Sequence, residues 1–331
     1  MPEADAVFIC ATHRLARRLR EAHNQAQRER GLDRWAPLDA LTPDAWLARV
    51  AGEALLAGEI NARQAPRLAL SAAQERLLWE RAIAGEMADS GDDTLFDIEG
   101  LAQAAADAND LAEVWMLPLP RDGAGGGELA SEELRRFLHW RRLFRADCEQ
   151  NGWLEPARLR AWRLRAIGGG AGRLPRQVML AGFDRHTPQE RELMRVLAAR
   201  GVEVGELSLG REAAGAATVA ELPDRKAECR AAAAWAARIR AANAGARIGI
   251  VVPRLAAVRG LLAAALDDAL HPEALAPHNA GMPRCYNFSL GAALAEQPIA
   301  ATALRLLAIA ARPRRIAAAA FGALLRGPCW S

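Results

Sequence analysis

The stretch VMLAGFDRHTPQERELMRVLAARG, residues 178–201, decides the fold. Val178 to Ala181 is a short apolar run without polar interruption, the pattern of a strand covered on both faces. Downstream, Thr187-Pro-Gln-Glu190 has the spacing of a capping box, with proline at the first helical position. The helix it opens carries Leu193, Val196 and Leu197 on one stripe, and Gly201 ends it. A buried strand feeding an amphipathic helix is one unit of an α/β fold.

Working outward, the same grammar recurs. Val7 to Ala11 (VFICA) predicts a buried strand, and Thr12 opens a helix that runs to Gly31, with Leu15, Leu19, Ala22 and Ala26 on one face. Downstream, Val202–Leu209, Thr218–Leu222 and Arg247–Val252 predict further strands, while 224–242, 255–270 and much of 290–330 predict helices. From Asp39 to Arg165 the pattern is helical throughout. Ser71 and Gln74 have capping-box spacing ahead of Leu77, Leu78 and Ile83. A helix from Ser131 places Phe137, Trp140, Phe144 and Cys148 on one face, and glycine-rich loops occupy 121–128 and 168–172. Strands alternating with helices imply an α/β fold with a parallel sheet covered on both faces, interrupted by a large helical insertion.

The chain has 331 residues, enough for roughly two domains. Charged residues make up 25% and the formal net charge is +3, so the whole chain is not a strongly basic nucleic-acid binder. No apolar run is long enough for a membrane span, and MPEADAVF lacks the basic and apolar regions of a secretion signal, so the expectation is a cytosolic protein without membrane contact. Five cysteines, widely spaced and without a CxxC pair, suggest buried reduced thiols and no disulfide or zinc framework. Almost every cation is arginine; Lys226 is the single lysine. Chemistry that needs a lysine must therefore use Lys226.

That restriction excludes a working phosphate loop. Such a loop needs glycines whose N–H groups cradle phosphates and a lysine that neutralises them. The turn after the first strand reads Ala11-Thr-His-Arg14 and has neither. The six histidines form no HExxH or HxH pattern, and there is no G-x-S-x-G. Asp224-Arg-Lys226 matches half of a PD-(D/E)xK nuclease core, in which acids hold magnesium and the lysine steadies the attacked phosphate. Because Pro223 and an alanine-rich helix flank it, Asp224 reads better as a helix cap. No cofactor is expected.

The order of these segments resembles the UvrD/Rep-type superfamily 1 helicases. Their motif II, D-E-F-Q-D-x-S-P, lies before a helix, as does Ala181-Gly-Phe-Asp-Arg-His-Thr-Pro188, with Phe183, Thr187 and Pro188 in register. The two magnesium-binding acids of that motif fall on Ala181 and Gly182, and Asp184 is the acid left in the segment. A closer resemblance is to the inactivated helicase-like region of AddB-like and RecB-family PD-(D/E)xK exonucleases, described as probable DNA repair proteins. It rests on 11–19, 180–190, 248–253 and 287–298 in that order.

The resemblance implies a RecA-like parallel sheet with a degenerate nucleotide site. It divides the chain into a first domain (1–38 and 166–212), a helical insertion (39–165), the start of a second RecA-like domain (213–282) and a helical region (283–331). It also implies a nuclease domain beyond Ser331, and so a chain that is part of a longer protein.

If the chain holds DNA, as a single strand or a duplex end, arginines with interleaved indoles are the candidate surface, since guanidinium groups neutralise phosphates and indoles stack on bases. Arg14, Arg17 and Arg18 crowd the first helix; Arg135, Arg141, Arg142 and Arg145, with Trp140 and Trp162, form a second cluster. The plain alternative is a solvated arginine face over core tryptophans. Two other functions stay open: a docking module for a partner helicase without DNA contact, and an enzyme using Asp184 or the Asp224–Lys226 pair.

Overall fold

The structure, a computed structural model, describes residues 6–90, 97–119, 131–208, 217–279, 282–289, 291, 294–311 and 318–327. The glycine-rich loop at 121–128 lies outside them. The chain divides into two compact units, Met1–Ala214 and Gly215–Ser331.

The first unit is α/β. Its strands are β1 (Ala6–Cys10), β2 (Ala40–Leu41), β3 (Leu68–Ala69), β4 (Trp153–Leu154), β5 (Gln177–Ala181) and β6 (Glu203–Leu207). Its helices are α1 (His13–Glu29), α2 (Pro43–Leu56), α3 (Ala72–Ser90), α4 (Ile98–Val114), α5 (Glu132–Asn151), α6 (Pro156–Gly168) and α7 (Pro188–Ala199). Four strands form a parallel sheet in the order β2-β1-β5-β6, with Phe8 opposite Ala40 and Met179, and Met179 opposite Gly205.

Period-two alternation sorts the sheet's side chains into two layers. Val7, Ile9, Val178 and Leu180 face Trp46, Leu47 and Val50 of α2, Leu164 and Ile167 of α6, and Leu193, Val196 and Leu197 of α7. Phe8, Cys10 and Ala181 face Ala16, Leu15 and Leu19 of α1. Burial of large side chains at about 1.5–3 kcal/mol each holds these layers together. The sheet thus takes two of its covering helices, α2 and α6, from within residues 39–168.

The other helices of this unit build a second core. Trp79 of α3 stacks on Phe144 of α5 at a centroid distance of 4.3 Å, joined by Ile83, Met87, Ala102, Ala105, Trp140 and Cys148. The apolar face of α5 is as its spacing predicts. Leu77 is not: it is 58% exposed, whereas Leu78 and Ile83 are buried. Ala22 and Ala26 of α1 are also exposed, because the sheet under that helix reaches only its first turns.

The second unit holds α8 (Arg225–Ala242), α9 (Leu255–Leu270), α10 (Pro298–Ala311) and α11 (Ala318–Leu325). The expected strands at 218–222 and 247–252 do not form. Among the described residues both segments run without a ladder partner, and Val219 and Val251 are 94% and 93% exposed. Ile250 and Val252 pack instead on Cys229, Ala233, Leu262 and Leu266 of α8 and α9. Side-chain burial on one face is satisfied there, but a strand needs a neighbour's backbone as well. Among the described residues, no helix is long and apolar enough to cross a membrane. Cys10, Cys148 and Cys229 are buried free thiols, but Cys285 is exposed, against the expectation of buried thiols throughout.

Candidate functional site

In doubly wound sheets, ligands bind outside the carboxyl ends of the strands, where the strand order reverses. Here β1 is flanked by the second and third strands of its sheet, so the reversal lies between β1 and β5. Ala11 extends that ladder by one bond, its N–H donating to the Ala181 carbonyl at 3.0 Å. Beyond it a crevice of about 410 Å³ opens, lined by Thr12 and His13 after β1, Thr42 and Asp44 after β2, Arg160 of α6, and Gln189 and Glu190 of α7.

Several polar groups of this crevice are already bonded, while the buried Thr42 hydroxyl has no hydrogen-bond partner among the described residues. Arg160 grips Asp44 with two nitrogens, Nη2 lying 2.8 Å from Oδ2, and donates from Nη1 to Gln189 Oε1 at 3.0 Å. Glu190 accepts from the Thr187 N–H at 2.7 Å and completes the capping box of α7. The Thr12 hydroxyl accepts from the Leu15 N–H at 3.1 Å and caps α1. Arg160, the crevice's arginine, is thus already neutralised.

Ala181, where the resemblance would place the first acid, is fully buried and offers a methyl group inside the core. Gly182 has φ +74°, and a Cβ placed on it would lie 2.5 Å from Leu15 Cδ2. Gly182, where the resemblance would place the second acid, is exposed and has the Leu15 side chain beside it. Asp184 is exposed on the following turn.

The cluster on α5 and α6 does not form a basic surface. Trp140 is a core residue whose indole N–H donates to Glu86. Arg141 is 9% exposed, with Nε on Asn109 Oδ1 at 2.9 Å and Nη2 on Glu113 Oε1 at 2.7 Å. Arg145 is bound to the same Glu113 oxygen. Burial holds the Arg141 guanidinium below its ordinary pKa, with Arg145 adding repulsion and Glu113 opposing both. The expectation that Arg141 and Arg145 are exposed is therefore corrected. Arg141 follows Trp140 on the inner face of α5, and α4 supplies Asn109 and Glu113 to meet it. Trp162 is half-buried and donates to the Gln64 carbonyl at 3.2 Å. Arg135 and Arg142 are exposed, Arg142 lying 2.7 Å from His139 Nδ1. Of the named residues, these two alone remain open on that side.

The helix α1 keeps its basic face. Arg14, Arg17 and Arg18 are exposed, and Glu21 lies 3.9 and 3.8 Å from Arg17 and Arg18, with all three side chains more than half exposed. Ion pairs of that length in water contribute little, so the face stays net positive.

Asp224 caps α8, its Oδ1 accepting the Ala227 N–H at 2.7 Å, and Lys226 is exposed on that helix. A nuclease core needs this pair on a strand beside another acid; here it is on a helix. No group of three or more His, Cys, Asp or Glu side chains among the described residues could hold a metal ion. Sequence reasoning missed Asn109, Glu113 and Glu155, which are polar residues inside the helical layer. The only signal for Glu155 was its place before Pro156, at the N-cap of a helix. No protein-family model matches the chain, and no curated protein matches it.

Proposed function

We propose that the chain is a non-catalytic, helicase-like portion of a cytosolic DNA repair exonuclease, holding DNA rather than hydrolysing nucleotide. In this reading the sheet is RecA-like with a degenerate nucleotide site, and residues 39–165, apart from β2 and the sheet-covering α2 and α6, supply its helical insertion. The nuclease domain belongs to a longer protein. The observation that carries the silent part is the end of β5, where Ala181 is a buried methyl and the exposed Gly182 carries no side chain, so neither position can hold a metal ion. A crevice whose arginine is already bound to Asp44 supports it further.

DNA contact is assigned to α1 through Arg14, Arg17 and Arg18, with Arg135 and Arg142 as secondary candidates. Arg141, Arg145 and Trp140 leave the surface. The test is fluorescence anisotropy of a labelled single strand against salt. Each neutralised phosphate contributes a slope of about −0.7 in log K against log salt, so Arg14→Ala/Arg17→Ala/Arg18→Ala should flatten it by roughly two. No binding by wild type at low salt, or an unchanged slope in the variant, counts against DNA contact here.

A second reading, docking to a partner helicase without touching DNA, draws on one observation. Leu111, Trp115, Met116 and Leu117 expose apolar surface together at the end of α4. Absent DNA binding, with self-association or helicase capture lost in Trp115→Ser, would favour it.

A further inference from the structure

Among the described residues Glu155 is the one acid in the buried class, 0% exposed, and neither of its carboxylate oxygens has a hydrogen-bond partner. Its place follows from the small β3–β4 ladder. Ala69 pairs with Leu154, and the Leu70 N–H donates to the Leu154 carbonyl at 2.8 Å. The two chains leave this ladder side by side, one into α3 through Ser71, the other into α6 through Glu155. Glu75, half-buried in the first turn of α3, therefore lies at a helix start next to that of Glu155. Glu155 is the N-cap of α6 but makes no side-chain cap bond.

Burial of the Glu155 carboxyl outweighs the downward pull of Arg158 and Arg145. On α6, Arg158 approaches Glu155 only to 3.8 Å and also reaches Glu149 of α5 at 3.4 Å. Arg141 and Arg145 of α5 act on Glu155 but are bonded to Glu113 of α4, a further negative charge. Asp107 and Asp110 of α4 add repulsion on Glu75. Asp44 of α2 and Glu190 of α7 are engaged with Arg160 and the Thr187 backbone.

Burial, followed by the charge of Glu155, pushes the Glu75 carboxyl from 4.5 up to about 7. Burial raises Glu155 too, against the pull of Arg158. The neighbouring Cys148 thiol is pushed up to about 12 by burial, with Glu155 the next cause.

We propose that Glu75 and Glu155 are a coupled carboxyl pair that keeps a proton inside the helical layer near neutral pH and loosens the starts of α3 and α6 when it is lost. Both groups bind protons more tightly folded than unfolded. Their contribution to stability is thus complete below the ordinary carboxyl range and falls as pH rises from about 4.5 through about 7. The device is independent of DNA or nucleotide.

Amide hydrogen exchange on the full chain between pH 5 and 8, corrected for intrinsic exchange, reads it directly. Opening of the first turns of α3 and α6 should increase about tenfold or more between pH 5 and 7, one proton giving up to tenfold per pH unit. Glu155→Gln and Glu75→Gln, which fix a neutral side chain, should each reduce that dependence and keep wild-type protection at pH 5, and the double glutamine variant should remove most of it. Should Glu155→Gln fail to fold, Glu75→Gln at its half-buried site carries the same test. A flat wild-type profile, or a glutamine variant with the wild-type slope, overturns the proposal.

Discussion

At the scale of single residues, the account turns on side chains whose surroundings reverse their ordinary meaning. Gly182 is one: its left-handed backbone strains any side chain, and an added Cβ would lie 2.5 Å from a Leu15 methyl, which would have to shift. Gly182→Ala should destabilise the protein by about 1–3 kcal/mol in urea unfolding. A neutral outcome would mean that neither the left-handed backbone nor Leu15 resists a side chain there. Arg141 is another. Its removal leaves Asn109 Oδ1 without its donor, so Arg141→Ala should cost about 2 kcal/mol and leave any DNA salt slope unchanged. Thiols offer a third check. Thiolate, not thiol, is the nucleophile, so at pH 8 iodoacetamide should modify exposed Cys285 in the native protein and spare buried Cys148, whose thiol is held near 12. Modification of Cys148 at a rate comparable to Cys285 would contradict the packing of α5.

At the scale of elements, termini explain much of what forms. The Thr187–Glu190 box is intact, and Thr187→Ala should cost about 1 kcal/mol, read in the same unfolding assay. Asp224→Ala should cost a similar amount, while Lys226→Ala leaves stability unchanged; neither should alter a nuclease assay, since the chain should leave DNA uncut with Mg²⁺ or Mn²⁺. Cleavage abolished by Lys226→Ala would revive the enzyme reading. The same elements show what was legible in the sequence. β1, β5, the caps at Thr12, Thr187 and Asp224, and the inner face of α5 were readable, because local patterns specify them. The unpaired segments 218–222 and 247–252 were not, because β propensity is silent about whether a neighbouring strand exists. The true role of Arg141 was hidden as well: its partners, Asn109 and Glu113, lie 32 and 28 residues away in sequence.

At the scale of the whole molecule, the first unit keeps the layout of a ligand-binding α/β sheet without its usual working groups. The crevice lies at the carboxyl ends of the strands, where ligands bind in such folds, but its arginine is tied to Asp44, Thr12 caps α1, and its lining holds no lysine. Exposed arginines crowd α1, whereas α5 keeps only Arg135 and Arg142 of its named arginines in the exposed class, so α1 is the first candidate for DNA contact. The central claim is that this sheet does its work without nucleotide, and calorimetric titration of the full chain with Mg·ATP tests it most directly. The account predicts no heat of binding at ligand concentrations up to about 1 mM, a dissociation constant corresponding to about −4 kcal/mol. Saturable binding in the micromolar range, displaced by ADP, would contradict it.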